Sequence, residues 1–235
     1  MNKFLNLLLI KICICSAFLN VKAQRSRLLH DGPEDKYFIS VAYGTGNASW
    51  NSKLNETALY DTTGAEIFKG NILFNAKNTL NNLTVDVGAQ VRYIRLGLGV
   101  SFEEFYLEKI RINNNNYAFS DKFTFSKIFA HAEVPFRTIS SDLFSFSSKS
   151  SFGFFSSYYL NHFNLFGSGN GGTSLFLNTA FLADYKFLPH TYLFVQPVVE
   201  YKYFKNSKKE LPGKISHQIW SYFIMLGVRI DVSKE

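Results

Sequence analysis

Thirteen charged residues fall at alternate positions of segments whose other positions are apolar: Asp86, Glu103, Glu133, Asp184, Glu200 and Asp231 with Arg92, Arg95, Lys127, Lys149, Lys186, Lys202 and Arg229. Carboxylates and cations gathered on one face could line an ion path or supply a general acid and base. They could equally neutralise one another in a packed interior. Six acids against seven bases is close to balance, and inward charges avoid a large burial cost only when paired. The sequence therefore reads as a network of structural interior charges, with Asp86, Glu103, Lys127, Glu133, Lys149, Asp184, Glu200, Lys202 and Arg229 at its centre. No catalytic, cofactor-binding or metal-binding residue is assigned, and no cofactor is expected.

Other candidate chemistry is thinner. His30, His131, His162, His190 and His217 are scattered, and none has the spacing of metal ligands. His131 and Glu133 share a face and could form an acid–base pair, but no nucleophile accompanies them. His217 and Ser221 share the inner face of the last segment, two pairs apart. They are the only residues a lipid-modifying enzyme could use, and the tighter His-x-Ser arrangement of lipid A deacylases is absent. The glycine-rich stretch Gly167–Gly172 lacks a following Lys-Ser or Lys-Thr, so it is a loop and not a phosphate cradle.

The elements that carry these residues alternate with period two. In the last segment Trp220, Tyr222, Ile224, Leu226, Val228, Ile230 and Val232 form one face, and Ser221, Phe223, Met225, Gly227, Arg229 and Asp231 the other. The same rhythm runs through Leu193–Tyr203 and Leu175–Phe187. It recurs in Leu83–Tyr93, Leu96–Glu103 and Tyr37–Gly44, in Phe144–Phe154, and less cleanly in Thr124–Phe136. Pro197 cannot donate a ladder hydrogen bond, so an irregularity is expected there. Tyr37, Tyr93, Phe187, Tyr201, Tyr203, Trp220 and Tyr222 lie near segment ends, where aromatic girdles sit at a membrane surface.

About eight such strands are expected. Short links at Ile94, Thr138–Ser141 and Pro189-His190 alternate with longer polar ones at Asn47–Asn82, Arg111–Ser120, Asn161–Gly172 and Asn206–Ser216. That asymmetry is the pattern of tight periplasmic turns against longer extracellular loops. Within the first long link, Glu66–Lys77 has strand character and could extend a strand or form a two-stranded flap.

Composition agrees. The chain has 235 residues, 25 Phe and 13 Tyr, yet no long apolar run outside its first segment. Lys3 followed by an apolar run from Phe4 to Phe18, and Val21-Lys22-Ala23 before Gln24, have the anatomy of a cleavable signal peptide over residues 1–23. Lys11 interrupts that run and leaves it short of a helical membrane span. Cys13 and Cys15, the only cysteines, would leave with it. Removing Lys3, Lys11 and Lys22 lowers the net charge from +7 to +4, too mild for a nucleic-acid partner. Residues 24–36 read as a flexible periplasmic lead, and 37–235 as one barrel domain.

Three short stretches carry a family resemblance: the signal ending Lys22-Ala23-Gln24, the Gly97-Leu98-Gly99-Val100 core of the hairpin Val87–Phe102, and Ala132-Glu133-Val134-Pro135-Phe136. With these the chain resembles the outer-membrane β-barrel-domain proteins of Bacteroidota, including the PorT-like group. The resemblance implies an eight-stranded barrel without assigned activity and, through PorT, a link to type IX secretion.

The expected fold is all-β: an eight-stranded antiparallel up-and-down transmembrane β-barrel of OmpA/OmpX-like architecture, both chain ends periplasmic. Its expected task is non-enzymatic, as a membrane anchor or a partner-binding protein acting through extracellular loops. The expected partners are outer-membrane lipid and other envelope or secretion proteins. A lipid-modifying outer-membrane enzyme is the alternative, ahead of a small diffusive porin.

Overall fold

The computed structural model describes residues 36–55, 59–60, 66–68, 71–76, 80–91, 93–112, 115–136, 141, 143–157, 174–207 and 214–233, and none of these is helical. The alternating segments are strands: β1 (Lys36–Asn55), β2 (Leu59–Tyr60), β3 (Glu66–Phe68), β4 (Asn71–Ala76), β5 (Leu80–Val91), β6 (Ile94–Ile112), β7 (Asn115–Pro135), β8 (Phe144–Ser157), β9 (Ser174–Leu188), β10 (Thr191–Ser207) and β11 (Lys214–Ser233). Each pairs antiparallel with its neighbours, and β11 pairs with β1 from Lys36↔Ser233 to Asn55↔Lys214, which closes the sheet. β4 and β5 share one position in the wall: both lie between β1 and β6, β5 over one half and β4 over the other. The wall therefore has eight staves.

Closure fixes the geometry. A row of paired residues leaving β1 at Tyr37 passes Ala89, Leu96, Ala132, Ser150, Thr179, Val199 and Tyr222, then returns to β1 at Asn47, a stagger of 10 residues. Such a stagger tilts the strands, and eight tilted strands leave a bore that side chains can fill. Among the described residues the eight staves find all their ladder partners within the closed sheet, as a lipid environment demands.

The two faces separate by physical chemistry. Val41, Leu98, Ile128, Phe154, Leu177, Leu226 and Ile230 point outward and are exposed, Leu98 to 64% and Ile128 to 68%. An apolar belt this continuous is stable only against hydrocarbon. Leu98→Arg tests it directly: at mid-bilayer the cation should lower folding stability by about 2–4 kcal/mol. Urea titration of the protein in vesicles measures that loss, and a neutral result would mean that Leu98 faces water.

Several expectations change. Residues 1–35, where a signal peptide and nearly all of the lead are expected, lie outside the described residues, as do Arg92 and the link 158–173. The strands run well past the expected boundaries. β1 continues to Asn55 and β4 occupies 71–76, while β2 and β3 pair as a small flap, so the first long link is largely structured. The expected loop Arg111–Ser120 is mostly ladder: Ile112 pairs with Asn115, leaving two residues between β6 and β7. Strict alternation of short and long links fails there, because polar residues can stay paired where the wall rises beyond lipid. At Pro197 the expected irregularity is a gap and not a bulge: Val195↔Ala183 and Val198↔Ala180 keep the register, and between them Gln196 and Pro197 pair only with β11. A register shift in the same ladder sits at Thr191/Tyr192, next to the tight turn where His190 adopts φ 65°.

Candidate functional site: the interior charge network

Inward positions of the eight staves converge on the bore. Asp86, Glu103, Lys127, Glu133, Lys149, Asp184, Glu200, Lys202 and Arg229 all lie there, each buried, joined by Arg95 and Asp231. Lys186 does not join them. It sits near the end of β9, where the wall opens to solvent, and is exposed. Among the described residues six buried carboxylates meet five buried Lys and Arg side chains. Register explains how residues far apart in sequence meet: the ladders bring β6, β7, β10 and β11 around a bore only a few side chains wide.

The network has three tiers. At the end where β1 begins and β11 ends, Arg229 donates through Nη1 to Asp184 (3.1 and 3.2 Å) and through Nε to Asp231 Oδ1 (3.2 Å). Arg95 pairs with Glu133, which also accepts from Ser147 Oγ at 2.8 Å. In the middle tier Lys149 Nζ and Ser40 Oγ donate to the two oxygens of Asp86, each at 2.7 Å. The third tier is a square: Lys127 donates to both oxygens of Glu200 (2.8 and 2.9 Å) and pairs with Glu103, while Lys202 donates to Glu103 Oε1 at 2.6 Å and lies 2.5 Å from Glu200 Oε1. Lys202 also donates to Ser221 Oγ at 3.1 Å. A charge pair held by several hydrogen bonds in low dielectric is the arrangement that offsets desolvation best.

Beyond the square the filling changes. Trp50, Phe105, Phe123, Phe125, Phe155 and Phe204 are buried inside the wall, with Phe105 edge-on to Phe125 at 5.0 Å and Phe125 edge-on to Phe155 at 5.4 Å. This aromatic lid was not foreseen from sequence. Its only signal is parity: Phe123, Phe125, Phe155 and Phe204 share the inward face with Lys127, Gly153 and Lys202. A composition rule that sends aromatics to lipid overlooks it.

The possible catalytic pairs are not assembled. His217 accepts the Trp50 Nε1 proton at Nδ1 (3.2 Å) and stacks on Phe204, while Ser221 belongs to the Lys202 square; no hydrogen bond joins them, and both are fully buried. His131 packs against Phe38 and Phe129, with no hydrogen bond to Glu133. Among the described residues no group of His, Cys, Asp and Glu has the geometry of a metal site. The space between the tiers is a cavity of about 20 Å³ lined by Asn82, Ser101, Lys127, Asn178 and Gln196, room for about one water.

No protein-family model matches the chain, and no curated protein does. Solved structures do resemble it. The outer membrane protein OprG from Pseudomonas aeruginosa superposes with a TM-score of 0.56 at 8% identity, covering 86% of this chain and 98% of that one. The outer membrane protease OmpT from Escherichia coli gives 0.40 at 9% identity, over 87% and 99% of the two chains. Ail, the attachment invasion locus protein of Yersinia pestis, gives 0.34 at 14% identity, over 85% and 99%. At these identities only the OprG superposition bears on the fold, and it bears on nothing else. The chain has the closed, eight-stranded antiparallel fold of an outer-membrane β-barrel.

Proposed function

We propose that the chain is a non-enzymatic outer-membrane protein, a plugged barrel that serves as a membrane anchor or binds partners through its extracellular end. On this reading residues 1–23 are cleaved on export, the β5–β6 and β9–β10 ends of the staves and both chain ends are periplasmic, and the opposite ends of the staves, with the flap β2–β3, face outside the cell. The observation that carries the proposal is the filled bore. Among the described residues three tiers of paired charges and an aromatic lid pack the bore around a cavity of about 20 Å³, which supports a barrel without a solute path or an open reaction pocket. An accessory role in secretion, as the PorT-like resemblance implies, is the finer form of the same reading.

Single-channel recording in planar bilayers tests it. The folded protein should be electrically silent, and stepwise conductance would overturn the plugged barrel in favour of a diffusive porin. Altered lipid A in cells carrying His217→Ala or Ser221→Ala variants would overturn the non-enzymatic assignment.

A further inference from the structure

The bore holds a polar surface that the charge tiers do not use. Between the Asp86–Lys149 pair and the Lys127–Glu200 square lies the cavity of about 20 Å³, and Gln196 of β10, Asn178 of β9 and Ser151 of β8 open onto it. Register gathers them. Ser151 and Asn178 are direct cross-strand partners, Asn178 pairs on its other side with Glu200, and Gln196 stands two inward positions from Glu200 along β10. Gln196 is 6% exposed and Ser151 3%, and among the described residues neither side chain has a hydrogen-bond partner. Asn178 gives its Nδ2 to Glu200 at 3.4 Å, but its Oδ1 is buried and accepts from no protein group. Amides and hydroxyls buried in this way lose their hydration and need a partner in return.

We infer that the cavity is a binding site for one ordered water molecule, held by the Gln196 amide, Asn178 Oδ1 and Ser151 Oγ. Size sets the ligand: a buried water needs roughly 10–15 Å³ of such room and two to four polar partners, and this cavity supplies both. Charge excludes ions. The ammonium groups of Lys127 and Lys149 line the same space and repel a metal cation, and the carboxylates of Asp86 and Glu200 repel an anion. An apolar guest would leave the amides unpaired. Water both donates and accepts, so it can give a hydrogen to Asn178 Oδ1 and take one from Gln196 Nε2. Through Asn178 it is coupled to Glu200, and the charge square gains a hydrogen-bonded neighbour across β8, β9 and β10. The inference needs only the packed bore, whichever end of the barrel faces outward.

The test uses the full chain folded in lipid bilayers, with magnetisation transfer from water to methyl groups read by solid-state NMR at short mixing times. Ala42, Val198 and Met225 line the cavity and carry methyls without exchangeable protons, so transfer to them requires a water in contact. Ile219 is fully buried in the bore but does not line the cavity, and it serves as the dry reference. Transfer should reach the three cavity methyls and not Ile219. Gln196→Met, close in size and without the amide, should abolish it at all three while the barrel keeps its heat-modifiable gel mobility. The wild-type spectrum decides even where this variant fails to fold: no transfer to the cavity methyls overturns the site and leaves the plugged barrel standing. Transfer that persists in a folded Gln196→Met protein also overturns the site. Transfer to Ile219 as well means a wet bore, and it overturns the plugged barrel together with the site. Cavity resonances that shift when sodium is replaced by choline assign the space to a metal cation and overturn the water.

Discussion

Lys202→Met should destabilise the barrel by about 3–5 kcal/mol, the cost of leaving a buried carboxylate without its cation. Lys202 is fully buried and holds Glu103, Glu200 and Ser221 together. With it gone, Lys127 alone must neutralise two carboxylates that meet in the bore. The natural companion is the double variant Lys202→Met with Glu103→Gln, which restores one cation per carboxylate. It should recover a large part of the loss, and the non-additivity measures the coupling. Urea titration in vesicles, scored by the fraction keeping folded gel mobility, gives both values. A single-variant loss well below 1 kcal/mol would mean that the square behaves as an exposed pair, open to water.

Trp50→Ala is the second large effect, at about 3–5 kcal/mol. The indole is 1% exposed and stands edge-on to Phe123 (5.6 Å), Phe204 (5.9 Å) and His217 (5.7 Å), with its N–H donated to His217. Truncation removes these contacts and leaves a hole that stiff closed walls cannot collapse to fill. Trp50→Phe keeps most of the volume and should lose markedly less. Amide hydrogen exchange would localise the damage: protection should fall in the lid halves of β1, β7 and β11, and persist around the Arg229 tier. Uniform loss throughout the barrel would mean that the lid and the charge tiers unfold as one unit.

The sequence made the wall legible and its ends obscure. Within lipid the outward positions must be apolar, so β9, β10 and β11 announce their two faces residue by residue, from Leu175 to Val232. The interior carboxylates and cations follow from the same parity. Above the lipid that constraint lapses. Asn47, Ser49 and Asn51 of β1 and Asn115 and Asn116 of β7 are polar enough to read as loop, yet they are ladder residues whose backbones remain paired. β6 adds a complication: its register against β7 shifts between Leu107 and Lys109, three steps of β7 standing against two of β6. The aromatic lid was missed for a different reason. Phenylalanine suits lipid and a packed interior equally, so composition cannot assign it, and only its phase relative to Lys127 and Lys202 does.

The 10-residue stagger has one further consequence, and it concerns sidedness. Because the offset at closure is even, the inward row that starts at Phe38 comes back to β1 at Ala48, another inward position, and the surface has a distinct inside and outside. An odd offset would join inward to outward at the seam, as in a Möbius strip, and somewhere a charged row would be handed to the hydrocarbon. A single-residue insertion inside one membrane-spanning stave therefore cannot be absorbed by sliding the seam. It must be expelled locally, as at the register shift between β6 and β7 past Leu107, or matched by a second insertion that returns the count to even.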